Sequence, residues 1–389
     1  MIGVTKLLCG DEYFGDSLRY HEDAGCLAPN GVAPGRGPVV VWNCTRTCNL
    51  RCRHCYAGSD GRIEEGELST AEALDFIGQL ARFKVPVLLL SGGEPLLRPD
   101  LEELIAAANG MGIRVTLSTN GTLLTPEKVA RLRQLGIGYI GVSLDGIGVA
   151  NDRFRGRTGS YDEALAGIRN CIAADQRVGL RFTINKHNYQ EMNDIFDLIE
   201  RENIPRVCFY HLVYSGRGSK MMEEDLSHSE TRAAVDLIIE RTLDFHRRGL
   251  KKEILTVDNH ADGVYIYLKL KETDPARAEQ VLELLRRNGG NRTGMAIGAV
   301  DWHGNVHPDQ FTRDITFGNV RERDFGEIWT DLSHPLLAGL KNRRSLLHGR
   351  CAPCRWLDLC NGNFRARATA VSGDFWGADP ACYLADEEI

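Results

Sequence analysis

This sequence predicts an α/β fold: a barrel of parallel strands, closed wholly or in part, followed by a small cysteine-bearing domain. Three observations point there. Six short β-rich runs alternate with helically spaced segments across residues 38–248. The runs are continuously apolar, as expected when helices cover one face of a sheet and packed side chains the other. Near Gly289 the repeat gives way to a hairpin signal and a cysteine-bearing tail. Repeated βα units imply parallel strands with right-handed crossovers, which places the chemistry at the strand C-terminal ends.

Taken in order, residues 1–37 become rich in glycine and proline towards their end (Pro29, Gly31, Pro34, Gly35, Gly37) and read as an N-terminal arm. The strands are expected at 38–43, 85–90, 114–118, 139–144, 179–184 and 206–212. The helices are expected at 70–83 behind a Ser69 cap, and at 100–109, 126–135, 161–174, 190–202 and 229–248. The barrel therefore occupies 38–250. A helical linker, 251–288, leads to a second domain, 289–389. That domain opens with a hairpin about His303-Gly304-Asn305 and a short helix at 325–329. It has few apolar residues for a core of its own, so bound metal is expected to hold it together.

The composition is that of a globular protein: 389 residues, 43% hydrophobic and 26% charged, enough for two or three domains. A formal charge of −6 gives no reason to expect binding along nucleic acid phosphates. The longest apolar runs, such as 85–90, are far too short to span a membrane. The start of the chain lacks the pattern of a signal peptide, so a cytoplasmic location is expected.

Seven of the twelve cysteines fall into two groups. Among cytosolic thiols, clustered cysteines are more often metal ligands than disulfides. Cys48, Cys52 and Cys55 form C-x3-C-x2-C directly after the first strand. Three such thiolates suit one cubane iron–sulfur cluster and leave one iron open, whereas zinc would want a fourth ligand and only His54 is adjacent. Cys351, Cys354, Cys360 and Cys382 form C-x2-C-x5-C-x21-C, which fits either tetrahedral zinc or a second [4Fe–4S] cluster. The other five, Cys9, Cys26, Cys44, Cys171 and Cys208, are scattered and take no role.

The triad loop after the first strand resembles that of the radical S-adenosylmethionine (SAM) superfamily. Gly92-Gly93-Glu94-Pro95 ends the second strand as that superfamily's GGEP motif does. The resemblance implies an open-iron [4Fe–4S] cluster on Cys48, Cys52 and Cys55, with the GGEP residues at the SAM amino group. Ser118, Asn120, Ser143 and Asp145 fall at positions that contact the SAM ribose and carboxylate, and His54 lies near the adenine. Physically, two glycines permit close backbone approach and Glu94 can pair with an ammonium. The fold implied is the partial (β/α)6 TIM-type barrel of these enzymes. The second cysteine group resembles their C-terminal SPASM or twitch domains. It departs from the full SPASM pattern, with Phe364 where a further cysteine is expected and a hairpin free of cysteine, so one auxiliary [4Fe–4S] cluster is implied.

Across its length the chain also resembles the 12,18-didecarboxysiroheme deacetylases of the alternative haem pathway. The resemblance rests on the start Met1 to Leu7, the stretches 179–185, 208–218 and 257–265, and the tail 379–389. It implies removal of two acetate arms to give iron-coproporphyrin III, through hydrogen abstraction by a 5′-deoxyadenosyl radical. A low-potential donor such as flavodoxin or ferredoxin would supply the electrons. The related haem d1 branch removes propionates from the same tetrapyrrole. A peptide-modifying maturase would want a winged-helix module that residues 1–37 are too short to form. For a flat polycarboxylate substrate, Arg181 and Arg217 are the best-placed cations. Lys220, Arg292, Arg365 and Arg367 are further ones. His211, His260 and His307 are candidate axial ligands to the substrate iron, and Tyr214 and Tyr265 are candidates for packing or proton donation.

Overall fold

All six expected β-rich runs form strands. The structure, a computed structural model, describes residues 1–20 and 36–389; the arm's segment 21–35, with Cys26, Pro29, Gly31, Pro34 and Gly35, lies outside the described residues. The strands are β1 (Ile2–Gly3), β2 (Val39–Thr45), β3 (Val87–Gly92), β4 (Arg114–Thr119), β5 (Tyr139–Ser143), β6 (Val178–Ile184), β7 (Arg206–His211), β8 (Glu253–Val257), β9 (Ile297–Val300), β10 (Asn305–His307) and β11 (Gly318–Asn319). They form one sheet in the order β1-β8-β7-β6-β5-β4-β3-β2-β9-β10-β11. Strands β2 to β8 run parallel, each beside its sequence neighbour.

Helices pack on the outer face and start where local chemistry dictates. Thr70–Arg82 begins at a capping box, in which Glu72 N donates to Ser69 Oγ (3.4 Å) and Ser69 N donates to Glu72 Oε2 (2.8 Å). Ala73, Phe76, Ile77 and Leu80 recur at helical spacing and are fully buried. Each large one contributes roughly 1.5–3 kcal/mol by leaving water. Phe76 meets Trp42 of β2 edge-on at 5.3 Å. Pro126–Gln134 starts at Thr125, whose hydroxyl accepts from Lys128 N, with proline at the first helical position. Among the described residues, no helix is long and apolar enough to cross a membrane.

Three features differ from the sequence reading. The stretch 251–288 opens with a strand, β8, before its helices Ala261–Thr273 and Pro275–Asn288. Its five residues are all buried, but Lys251, Lys252 and Glu253 mask the apolar run. The six strands of the expected (β/α)6 repeat, β2 to β7, are thus extended by a further parallel strand, β8. The start of the expected arm is docked on the sheet: β1 pairs antiparallel with β8, and Ile2, Val4 and Leu7 enter the core. The C-terminal region shares the barrel's core. Strand β9 adds in parallel to β2, and Val300, Val306, Phe317, Phe325, Ile328 and Trp329 join the same apolar core as Val40 and Trp42. The hairpin covers what would otherwise be an exposed sheet edge, and it shares the barrel's core.

Candidate functional site

The first cysteine group occupies the loop after β2. Cys48 and Cys52 are buried around Leu50 with Cys55 against them. The loop backbone is tied down on several sides. Cys48 N donates to Asp60 O (2.9 Å), Arg53 N to Phe154 O (2.9 Å) and Arg217 N to Cys55 O (2.9 Å). Polar hydrogens point at the sulfurs: Leu50 N at Cys48 (3.4 Å), Asn120 Nδ2 at Cys48 (3.9 Å) and Arg155 Nη1 at Cys52 (3.6 Å). Burial pushes the Cys48 thiol up to about 12, so the free thiolate is disfavoured there until a positive partner arrives. Soft thiols lined with donors and a guanidinium fit an iron–sulfur cluster. Among the described residues, no three His, Cys, Asp or Glu side chains converge as a single ion requires. A cubane, bound through separate irons, does not demand that convergence.

The GGEP motif is fitted to this loop. A Cβ on Gly92 (φ +131°) would lie 2.4 Å from Thr45 O, and one on Gly93 would lie 2.1 Å from Thr47 O. Gly93 N and Glu94 N donate to those carbonyls at 2.7 and 2.8 Å. The glycines therefore serve the approach of β3 to the cysteine loop, a reason the sequence reading placed instead at the ligand. Both Glu94 oxygens carry donors: Thr119 Oγ1 (2.7 Å) and Leu96 N (3.1 Å) on one, Asn120 N (2.8 Å) on the other. Burial raises its pKa to about 6 against these bonds. Glu94 thus locks the ends of β3 and β4 together, and Pro95 opens the single 3-10 turn that follows.

The next strand ends converge on the same face. Ser118 accepts from Arg181 Nη1, and Asn120 Nδ2 donates to Asn49 Oδ1 (2.7 Å). Ser143 is half-buried at the end of β5. Asp145 accepts from Thr183 N (2.8 Å), pairs with Arg155 and lies 3.6 Å from His54 Nε2. His54 stacks on Phe154 with ring centroids 4.8 Å apart, and burial lowers its pKa to about 4, so the ring is neutral. Two participants escaped the sequence reading. Arg155 links Asp145 to Cys52 from the short helix Val149–Arg155. Tyr56 donates to Asn43 Oδ1 (2.9 Å) and meets Ser91 Oγ at 2.9 Å. Neither stands in a local motif, so only the folded chain reveals them.

Inside the sheet's curve lies a cavity of about 560 Å³, reaching from the strand starts to Asp258, His260, Asp309 and Phe364. Its wall carries Arg114, Arg177, Arg181 and Arg292, none paired with a carboxylate among the described residues. Arg19 and Arg206, by contrast, share Glu253. Burial first, and then Arg206, Arg177 and Arg19, pull the Arg114 pKa down, the mark of cations that repel one another. Arg181 and Arg292 were expected near a polyanion. Arg114 and Arg177 were not, because they sit at strand starts.

Several expected contacts lie elsewhere. Arg217 braces the cysteine loop through Cys52 O and Ser59 O (both 2.8 Å). Tyr214 donates to Asp225 (2.7 Å), and His211 meets Asp262 at 2.9 Å. Burial lowers the His211 pKa, but Asp262 outweighs it and the net direction is up. His307 is held by Ile315 O and Asp301. Arg365 and Arg367 are fully buried: the first donates to Phe375, Gly377 and Gly362 carbonyls, the second pairs with Asp379. Tyr265 donates to Asp236, and Lys220 is exposed on the segment 216–224. Apart from the exposed Lys220, each of these groups is bonded to a partner within the fold.

Cys351, Cys354, Cys360 and Cys382 line one small void of about 30 Å³ with Leu357 and Leu384. Backbone amides of Gly362 and Leu384 reach the Cys360 and Cys382 sulfurs. Burial raises these two thiols to about 12 and about 11, as for Cys48. Four sulfurs around one void, with amide donors at Cys360 and Cys382, fit a cluster without an open iron.

Residues 42–199 match the radical SAM superfamily. The chain is 56% identical over 394 residues to the Fe-coproporphyrin III synthase of Methanosarcina barkeri, covering 100% of this chain and 99% of that protein. It is 44% identical over 353 residues to the pre-heme d1 synthase of Dinoroseobacter shibae, covering 90% and 87%. The fold superposes on Streptococcus suis SuiB bound to S-adenosylmethionine with a TM-score of 0.71 at 18% identity, covering 90% of this chain and 78% of that one.

Proposed function

This chain belongs to the radical SAM superfamily, and from that premise we propose that it removes the two acetate arms of 12,18-didecarboxysiroheme to give Fe-coproporphyrin III. When bound, the superfamily's [4Fe–4S] cluster and SAM supply a 5′-deoxyadenosyl radical that takes a hydrogen atom from the substrate. Cys48, Cys52 and Cys55 hold the cluster. Glu94, Asp145 and Arg155 fix the strand ends and the loop around it, and His54, Ser118, Asn120 and Ser143 present side chains to SAM. Cys351, Cys354, Cys360 and Cys382 hold one auxiliary cluster, and a donor of the flavodoxin or ferredoxin class feeds electrons in.

The observation that carries the substrate class is the cavity. Among the described residues four guanidinium groups line it without carboxylate partners, an arrangement whose burial costs desolvation unless an anion enters. A tetrapyrrole with several carboxylates supplies that charge, and about 560 Å³ lies within the range of cofactor-sized sites. The 44% relative favours a second reading, propionate removal. Reduced protein given 12,18-didecarboxysiroheme and SAM distinguishes the two by product mass. Loss of two acetates supports the proposal, loss of propionates supports the alternative, and unchanged substrate refutes both.

Arg114→Gln tests the role of the cavity. Substrate affinity is expected to fall roughly tenfold to a hundredfold, the worth of one charge-assisted hydrogen bond. Thermal stability should hold or rise, since the change relieves repulsion. A calorimetric Kd equal to that of the wild type would remove the guanidinium cluster from the substrate site.

A further inference from the structure

One group in the cavity has no task in the scheme above. His260 follows the end of β8, where Asp258 takes a left-handed conformation (φ +67°) and the chain turns into the helix Ala261–Thr273. The residue is 7% exposed and lines the cavity. Among the described residues neither ring nitrogen has a hydrogen-bond partner, and Nδ1 is wholly buried. Buried polar groups are almost always satisfied, so an unpaired imidazole on a cavity wall points to a ligand.

Its surroundings keep it ready to bind. Burial above all, with the Met1 amine, Arg367 and Arg343 adding to it, holds the ring neutral, the form that coordinates metal. The backbone is fixed from the second cysteine region. His260 N donates to Asn363 Oδ1 (2.7 Å), Asn259 Nδ2 to Ala381 O (2.9 Å) and Arg367 Nη2 to Asp258 O (2.6 Å). Of the three histidines that sequence offered for this role, His211 and His307 are already bonded through their rings to Asp262, Asp301 and Ile315 O.

We infer that His260 is the axial ligand to the iron of the tetrapyrrole substrate, setting the height and tilt of the macrocycle in the cavity. The inference rests on the tetrapyrrole reading of the cavity. It assigns His260 a positioning role through the substrate metal. Arg292 shares that part of the wall and is left to meet a carboxylate arm.

The test uses the full chain with both clusters reconstituted anaerobically and its histidines labelled with 15N. The probes are ferric coproporphyrin III and metal-free coproporphyrin III. The wild type is expected to bind both, and the ferric complex to show hyperfine coupling to one 15N nucleus beyond the pyrrole nitrogens. In His260→Ala the coupling is lost while metal-free binding persists, and added free imidazole restores the ferric spectrum, which also shows that the variant is folded. Coupling that persists in His260→Ala, or is absent from a wild type that binds both probes, overturns the inference alone. Failure of the wild type to bind either probe overturns the substrate reading and this inference with it.

Discussion

Gly93→Ala is expected to empty the first cysteine group of iron and abolish SAM cleavage while the second group keeps its cluster. The added methyl would lie 2.1 Å from Thr47 O and 2.6 Å from Arg46 O, well inside van der Waals contact. Those atoms are backbone, so no side chain can rotate to make room. The contact can be relieved only by parting β3 from the loop that begins at Thr45, which breaks the Gly93 N to Thr45 O and Glu94 N to Thr47 O bonds. Cys48 follows directly on that segment, so its sulfur leaves the position it shares with Cys52 and Cys55. Iron analysis with electron paramagnetic resonance, before and after adding SAM, reads both sites at once. A variant with wild-type iron content and wild-type SAM cleavage would show that the close approach is dispensable.

Arg367→Met should cost about 3–5 kcal/mol of stability, the usual penalty for removing one partner of a buried ion pair. Arg367 and Asp379 are both wholly buried, joined by bonds of 2.9 and 2.7 Å. Arg367 also donates to Leu212 O (3.1 Å) and Asp258 O (2.6 Å), so it fastens the C-terminal region to the ends of β7 and β8. Its loss leaves a bare carboxylate and two carbonyls in the interior. Denaturant unfolding of the anaerobic protein measures the effect, and replacing Asp379 as well should recover part of it. If Arg367 were a substrate contact, as sequence position suggested, the midpoint would stay put and only substrate affinity would fall.

These two sites show where reading the chain succeeds and where it stops. The six runs from β2 to β7 were legible because each is a short apolar stretch between turn signals. The intervening helices announce themselves through Ser69 and Thr125 caps and periodic apolar faces. Cys48, Cys52 and Cys55 were legible because all three ligands fall within eight residues of one loop. Gly92 and Gly93 were legible as residues, but their reason was not: the backbone they admit comes from a different strand.

The sequence by itself therefore determined the repeat of strands and helices, the two thiol groups and the family to which they point. Apart from the distant Cys382, all of these rest on patterns spanning a few residues. The tertiary structure alone decided which cations face the cavity and which are structural, that Arg155 bridges Asp145 and Cys52, and that of three histidines only His260 lines the cavity with its ring unpaired. A polar side chain's role is set by whatever partner reaches it first in space. For Arg367 and His211 that partner lies in another element, and no local pattern records the meeting.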